Sequence, residues 1–269
     1  MIDPVVGPDF VRAHPERVLL ADVRYYLDGR SGRAAYEGGH LPGAIFVDVD
    51  TDLAAHAGPA EGRHPLPTPE AFAERMAALG LSDDTIVIAY DDAGGVMAAR
   101  LVWMLRATGH DAALLDGGLH AYAEKLETTT PPRAPGVFEA RPWPSERLAD
   151  IEDATRAEFV VLDARQPERF RGETEPIDPR AGHIPGARSL PTRENVDATG
   201  LFLPPAELRD RFLAAGVTDG ATVVSYCGSG VTACHNLLAL ERAGFAPGKL
   251  YPGSWSQYSA TDRPAATGA

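Results

Sequence analysis

The sequence predicts an α/β fold of two tandem domains, each a parallel sheet with helices on both faces. Two observations support this prediction. The halves of the chain repeat the same phrases in the same order, so that GGHLPGA at 38–44 is answered by AGHIPGA at 181–187. Each half also alternates short apolar runs with helical stretches, and that alternation is typical of parallel strands joined by crossover helices.

The composition narrows the classes of function. The 269 residues carry a formal net charge of −13, and 44% of them are hydrophobic. The apolar content is sufficient for two packed cores, while the acidic balance argues against a nucleic acid or an anionic membrane as partner. No apolar run reaches the roughly 18 residues of a membrane helix, and the first residues lack the pattern of a signal peptide. We therefore expect a cytoplasmic protein.

The repeat has the length of a domain. TPEAFAERMAALGLSDDTIVIAYD at 68–91 is answered by LPPAELRDRFLAAGVTDGATVVSYC at 203–227, in each case a helix, a turn and a strand. The apolar runs IVIAY and TVVSY suit strands that are buried on both faces. A duplication of one α/β domain explains the pattern.

The boundary between the copies is a proline-rich stretch, TTTPPRAPGVFEARPWP at 128–144. Proline fixes its own φ and restricts the preceding residue, so this stretch cannot form a long helix. We assign an N-terminal domain to residues 1–127, an extended linker to 128–147 and a C-terminal domain to 148–269. The small polar residues of the tail, 259–269, predict a frayed end.

Cys227 is the residue best placed for chemistry. It follows a predicted strand and precedes a Gly-rich loop and a helix, and open α/β sheets bind ligands at this point. Main-chain N–H groups from Gly228 through Thr232 can point at the sulfur, and the helix dipole adds positive potential. Both effects favour the thiolate, so we predict a nucleophile whose persulfide the same donors stabilise. The alternative is a structural cysteine, because cysteine is often fully buried.

With these motifs assembled, the chain resembles the rhodanese superfamily in its two-domain sulfurtransferase form. The resemblance rests on the tandem D-x-R and GH[LI]PGA phrases, the Cys227 loop and the G-S-W element near the end. The loop CGSGVTA at 227–233 is similar to that of 3-mercaptopyruvate sulfurtransferases. Thiosulfate-preferring members usually have basic residues where this chain has Gly228 and Ser229.

The resemblance implies a ping-pong reaction without a metal or an organic cofactor. The Cys227 thiolate would take a sulfane sulfur from a small donor, 3-mercaptopyruvate or thiosulfate, and become a persulfide. The sulfur would then pass to cyanide, to a thiol or to a thioredoxin-like protein. The alternatives are a thiosulfate-preferring rhodanese and a non-catalytic persulfide-binding scaffold module. Phosphatases of the superfamily need an arginine at position 233, and Ala233 cannot clamp a phosphate.

The resemblance also implies a set of substrate-binding residues. The arginine of an R-F-x-G element matches Arg169, with Arg171 as the alternative for the binding role, and a second arginine matches Arg180 best. Arg165, in the D-A-R phrase, is expected to pair with carboxylates at the end of a strand. The remaining predicted contacts come from the loop after the cysteine: Gly228, Ser229, Gly230, Val231 and Thr232.

In mercaptopyruvate enzymes the serine of this loop also handles protons, together with a histidine and an aspartate of the first domain. The positions that match are Ser229, His40 and Asp28. The alternative for His40 is a structural role, because GHLPGA is a phrase of the fold and His183 occupies the same position in the second copy.

Two further residues complete the predictions. Asp91 stands in the first copy where Cys227 stands in the second, and a carboxylate cannot carry a sulfane sulfur, so we expect an inert N-terminal domain. Cys234 follows Cys227 by seven residues. Two helical turns would separate their Cα atoms by roughly 10 Å, too far for a disulfide. Cys234 is therefore expected to pack inside a helix, with a resolving thiol as the alternative.

Overall fold

The computed structural model describes residues 1–56, 58, 60–122, 125–130 and 132–269. The chain divides into two compact units. Unit 1 contains Met1–Ala55, Pro67–Trp143 and Asp197–Phe202, and unit 2 contains His56–Leu66, Pro144–Val196 and Leu203–Ala269. Four residues of the predicted N-terminal domain and one of the predicted linker lie outside the described residues: Ala57, Pro59, Ala123, Glu124 and Pro131.

The units differ from the predicted domains because one segment of each copy belongs to the other unit. A segment of the first copy, His56–Leu66, belongs to unit 2, and a segment of the second copy, Asp197–Phe202, belongs to unit 1. The predicted linker also divides, because most of it packs on unit 1. Its Gly136 N–H donates to the carbonyl of Ala77 over 2.8 Å. The described residues of this stretch form no helix up to Pro144.

Within the described residues of unit 1, five strands form a parallel sheet in the order β1-β5-β4-β2-β3. The strands are β1 (Val5–Val6), β2 (Val18–Asp22), β3 (Ile45–Phe46), β4 (Ile86–Tyr90) and β5 (Ala112–Leu115). The helices are α1 (Pro8–Ala13), α2 (Gly32–Gly38), α3 (Pro69–Ala78), α4 (Ala99–Ala107) and α5 (Gly118–Ala121). Every residue of β4 is buried, as expected for a central strand with helices on both faces.

In the part of unit 2 that the structure describes, four strands form a parallel sheet in the order β7-β6-β8-β9. This order repeats β3-β2-β4-β5 of unit 1. The strands are β6 (Val160–Asp163), β7 (Arg188–Ser189), β8 (Val223–Tyr226) and β9 (Lys249–Leu250). The helices are α6 (Pro167–Phe170), α7 (Pro205–Ala214), α8 (Ala233–Arg242) and α9 (Ser254–Tyr258). Short 3₁₀ turns occupy Ser145–Arg147, Asp153–Thr155 and Thr192–Asn195.

The repeated phrases have the same structural role in both units. Arg24 pairs with Asp22 at the end of β2, and Arg165 pairs with Asp163 at the end of β6. Each arginine also donates to the carbonyl of the glycine that precedes the histidine of GH[LI]PGA. The predicted pairing of Arg165 with carboxylates is therefore confirmed, and the phrases tie the strand ends to the following loop.

The C-terminal tail is anchored, so the prediction of a frayed end is wrong. Ala266 pairs with His183 in an antiparallel bridge, and the Tyr258 hydroxyl donates to the carbonyl of Pro264. These contacts fix the tail, and the amino-acid composition of the tail did not indicate them. No helix among the residues that the structure describes is both long and apolar enough to cross a bilayer.

Candidate active site

Cys227 lies directly after β8 at the carboxyl edge of the sheet, and only 2% of its surface is exposed. Its Sγ accepts a hydrogen bond from the Gly230 N–H over 3.1 Å. Gly230 has a φ of 76°, and a Cβ atom there would lie 2.6 Å from the carbonyl oxygen of Pro252. Only glycine satisfies both conditions, so the loop sequence itself directs this N–H at the sulfur.

Helix α9 fixes the loop from behind. The Trp255 N–H donates to the carbonyl of Cys227 over 3.0 Å, and the Ser256 N–H donates to that of Gly228 over 2.8 Å. The Ser254 hydroxyl accepts the Cys227 N–H over 3.1 Å. Ser254 has a φ of 52°, a conformation that residues other than glycine seldom adopt. The GSW element thus holds the cysteine loop in place.

Ser229 has a histidine partner that is not among the predicted site residues. Its hydroxyl oxygen lies 2.7 Å from Nδ1 of His64, which belongs to the His56–Leu66 segment of unit 2. The segment is fixed because the Arg63 N–H donates to the Ser256 hydroxyl oxygen over 3.1 Å. Since Ser256 also supports the cysteine loop, its contacts position both halves of the Ser229–His64 pair.

The proton-handling roles of His40 and Asp28 stay predictions, and the contacts of both residues within unit 1 do not favour them. His40 is part of unit 1, where its ring stacks on Tyr36 and its Nδ1 lies 2.8 Å from the Tyr36 carbonyl oxygen. His183 has the same relation to Phe170 in unit 2, so the histidine of GH[LI]PGA is an element of the fold. Asp28 is exposed and pairs with the guanidinium of Arg30.

Two arginines lie against the residue that follows the nucleophile. A Cβ atom at Gly228 would be 3.0 Å from Nη2 of Arg63 and 3.5 Å from Nη1 of Arg169. Arg169 donates to Glu175 over 2.6 Å and to Oδ2 of Asp178 over 3.1 Å. Arg63 pairs with the other oxygen of Asp178. The absence of a side chain at 228 leaves the space that these guanidinium groups use.

These residues are part of a charge cluster in unit 2 that is buried except for Arg63, whose side chain is 33% exposed. The cluster consists of Arg63, Arg165, Arg169, Asp163, Glu175 and Asp178. Burial raises the pKa of the Asp178 carboxyl, although the charges of Arg63 and Arg169 oppose the shift. Burial would lower the pKa of Arg165, but the carboxylate of Asp163 outweighs it and raises that pKa. Two arginines of this cluster, Arg63 and Arg169, lie against Gly228, the residue after Cys227.

Comparison with known proteins shows the family to which the chain belongs. A family model described as "Rhodanese-like domain" matches the chain twice, over residues 10–125 and 145–261. The chain belongs to the rhodanese-like family. The predicted family, the two-domain fold and the sulfurtransferase class of enzyme are confirmed by this match and by the relatives that follow.

Curated relatives of this rhodanese-like chain are sulfurtransferases. The "Probable 3-mercaptopyruvate sulfurtransferase" of Pseudomonas aeruginosa is 45% identical over 93% of each chain. The "Putative thiosulfate sulfurtransferase SseB" of Mycobacterium tuberculosis is 38% identical over 90% of this chain and 88% of its own length. The crystal structure of SseA from Escherichia coli, a 3-mercaptopyruvate sulfotransferase in the words of its description, has a TM-score of 0.83 at 33% identity and covers 94% of this chain and 99% of its own.

The N-terminal rhodanese-like domain has a carboxylate at the position of the nucleophile. Asp91 is 1% exposed and accepts the N–H groups of Ala93, Gly95, Met97 and Ala98 at 2.8 to 3.0 Å. Burial raises its pKa, while these four N–H groups act in the opposite direction. The side chain thus fills the anion-binding turn of its own loop. An inert N-terminal domain stays a prediction, and this geometry favours it.

Arg180 has a different environment from Arg169. Its guanidinium donates to the carbonyls of Ser259, Arg263 and Tyr258 at 2.8 to 3.1 Å. These bonds use Nε and both Nη atoms to hold the tail. They favour a structural role, and the predicted substrate contact of Arg180 stays untested.

The remaining loop residues lead into helix α8. The carbonyls of Val231 and Thr232 accept the N–H groups of Cys234 and His235 over 3.2 and 3.0 Å. Cys227 and Cys234 are both free thiols. The Cys234 thiol donates to the carbonyl of Gly230 over 3.4 Å, so Cys234 packs inside the helix and supports the loop. Among the described residues, no group of three or more His, Cys, Asp or Glu side chains can hold a metal ion.

His64 and Arg63 had a signal in the sequence. They lie in the phrase GRH at 62–64, which corresponds to GLF at 200–202 of the second copy. Two polar residues therefore replace two apolar residues at one point of an otherwise regular repeat. The two segments also belong to opposite units, since GRH is part of unit 2, where it contacts the cysteine loop, and GLF is part of unit 1.

Proposed function

We propose that this chain transfers a sulfane sulfur from 3-mercaptopyruvate, with thiosulfate as a slower donor, through a Cys227 persulfide. The single observation that carries the proposal is the position of the Cys227 Sγ. It lies at a strand end on the Gly230 N–H, with the Ser229 hydroxyl two residues on and two guanidinium groups against Gly228. The names of the relatives support both donors.

The first half of the reaction balances with one proton transfer. The Cys227 thiolate attacks the thiol sulfur of 3-mercaptopyruvate, and an S–S bond forms as the donor's C–S bond breaks. The electron pair of that bond passes to the enolate of pyruvate, which takes up a proton at carbon. The same proton leaves the thiol of the donor, so no net proton is gained or lost. The hydrogen bond between Ser229 and His64 supports a relay of this proton by the pair.

The anionic end of the donor needs cationic partners. Arg63 and Arg169 supply them beside Gly228, one residue from the nucleophile. Arginine suits this task because its planar group binds carboxylates through two parallel hydrogen bonds. The Gly230 N–H that contacts the thiolate can also stabilise the persulfide anion. Each interaction acts on charge that is present or developing during the transfer.

The second half of the reaction restores the thiolate. With cyanide as the acceptor, its carbon attacks the outer sulfur, a C–S bond forms and the S–S bond breaks, so thiocyanate leaves and Cys227 keeps the electron pair. A thiol or a thioredoxin-like dithiol attacks in the same way. A cytoplasmic location suits this chemistry, because that compartment keeps thiols reduced.

A thiosulfate-preferring enzyme is the second candidate. The relative from Mycobacterium tuberculosis with a thiosulfate name favours it. Against it, the loop has Gly228 and Ser229, and neither adds a cation. Transfer from thiosulfate also needs no proton relay, so it gives the Ser229–His64 pair no function.

Thiocyanate formation from cyanide tests the proposal. We expect turnover with both donors, a higher kcat/KM with 3-mercaptopyruvate, and loss of both activities in Cys227→Ser. Cys234→Ser is the matched control, since it also removes a buried thiol and should retain most of the activity. If wild-type protein transfers sulfur from neither donor, or Cys227→Ser equals it, the enzymatic proposal fails and a scaffold module is the better account.

A further inference from the structure

Asp178 is the carboxylate that the two arginines share. Its Oδ1 faces Arg63 and its Oδ2 accepts from Arg169 over 3.1 Å, while only 2% of its side chain is exposed. Both guanidinium groups also lie against Gly228. An internal anion therefore occupies hydrogen-bonding positions on the same groups that would bind an anionic donor.

The charge cluster carries no net charge when its six side chains are ionised, because three arginines face three carboxylates. Asp163 and Glu175 pair with Arg165, which lies deep in the unit, and Glu175 also pairs with Arg169 over 2.6 Å. Asp178 contacts both Arg63 and Arg169. Its charge therefore acts on both of the guanidinium groups that lie against Gly228.

The Arg63–Asp178 pair is also accessible from outside the cluster. Both residues form part of the wall of a cavity of about 360 Å³, together with Gly62 and Ser256. This volume is in the range of small-ligand sites. Ser256 contacts the Arg63 N–H and the Gly228 carbonyl, so the cavity adjoins the cysteine loop. A small anion that enters here meets Arg63 and Asp178 together.

We propose that Asp178 sets the donor preference of the enzyme. Its carboxylate offsets the positive charge of Arg63 and Arg169 and so disfavours a dianionic donor such as thiosulfate relative to a singly charged 2-oxo acid. The proposal rests on the proposed sulfurtransferase function. Its physical basis is that the repulsion between Asp178 and a donor scales with the charge of the donor, and thiosulfate carries twice the charge.

The ratio of kcat/KM for thiosulfate to kcat/KM for 3-mercaptopyruvate, at one pH and ionic strength, tests the proposal. Asp178→Asn should raise this ratio by about tenfold, because the isosteric amide keeps the shape and removes the charge. Asp219→Asn is the matched control. Asp219 is exposed and pairs with Arg209 on the surface, so this variant has the same net charge and should leave the ratio unchanged.

A second variant decides the question even if Asp178→Asn does not fold. Arg63 is one-third exposed, so Arg63→Gln is expected to fold, and it should lower the same ratio by about tenfold. An unchanged ratio in Arg63→Gln, or a shift in the same direction as Asp178→Asn, overturns the proposal. Failure of the proposed function is a different result, since wild-type protein would then transfer sulfur from neither donor.

Discussion

The Nδ1 atom of His64 lies 2.7 Å from the hydroxyl oxygen of Ser229, two residues after the candidate nucleophile. Ser229 is 8% exposed, and His64 is partly buried. Sulfur transfer from a thiol donor moves a proton from sulfur to carbon, whereas transfer from thiosulfate moves none and releases sulfite. A proton relay at this position therefore affects the two donors differently.

Removal of the relay should separate the two activities. We expect Ser229→Ala and His64→Asn each to lower kcat with 3-mercaptopyruvate by about 100-fold, the lower end of typical acid–base contributions. Turnover of thiosulfate should stay within about threefold, because that step needs no proton transfer. Pyruvate and sulfite release in the steady state measure the two reactions.

The double variant is the control for this prediction. If the two residues act as one relay, Ser229→Ala combined with His64→Asn should be no slower than either single variant. An equal loss with both donors would contradict the relay and would indicate that the substitutions disturb the cysteine loop.

The two glycines that flank Ser229 should respond differently to alanine. Gly230→Ala combines a φ of 76° with a Cβ atom 2.6 Å from the Pro252 carbonyl, so we expect a loss of about 2 kcal/mol of stability and most of the activity. At Gly228 the nearest atom belongs to the movable end of Arg63. Gly228→Ala should keep the free energy of unfolding within about 0.5 kcal/mol and lower kcat/KM.

Urea unfolding and donor kinetics on the same preparations measure both effects. If Gly228→Ala had the kinetics of wild type, the displaced guanidinium would have no part in binding the donor and the first prediction would be wrong. If Gly230→Ala were as stable as wild type, the second prediction would be wrong.

The sequence was sufficient to predict the fold, while the nucleophilic role of Cys227 stays a prediction that its position at a strand end favours. GH[LI]PGA and the D-x-R phrase make the same contacts in both units. Their repetition in the sequence is therefore explained by the fold, which needs these contacts in each unit. Cys227 was recognisable because a strand, a glycine loop and a helix define its position locally. The same regularity bears on the choice of histidine, since His40 and His183 make the same stacking contact in the two copies, which favours a role in the fold.

The partners of the nucleophile were not predictable in the same way. Arg63 and Asp178 are 115 residues apart in sequence, and no periodicity relates them. They meet because His56–Leu66 leaves the unit in which its own copy folds. A local pattern identifies the element to which a residue belongs, but it does not identify which distant loop packs on that element.

A variant of Arg180 should distinguish a role in binding the substrate from a role in holding the C-terminal tail. Because its guanidinium holds three carbonyls of the tail, Arg180→Gln should cost about 2 kcal/mol of stability and should speed tryptic cleavage near Arg263. KM for both donors should stay within about twofold, since no transition-state contact is lost. A tenfold rise in KM with unchanged cleavage would instead restore Arg180 to the substrate site.

Asp91 should stabilise the N-terminal rhodanese-like domain rather than take part in catalysis. Its carboxylate satisfies four buried N–H groups, so Asp91→Ala leaves them without that acceptor and should lower the free energy of unfolding by about 3 kcal/mol. Asp91→Asn retains one acceptor oxygen and should lose about half as much. Asp84→Asn, at an exposed position of the same domain, should change stability by less than about 0.5 kcal/mol. Urea unfolding measures the three values.

Sulfur transfer by folded Asp91→Asn protein should equal that of wild type. A loss of kcat in fully folded protein would show that the N-terminal loop takes part in the reaction.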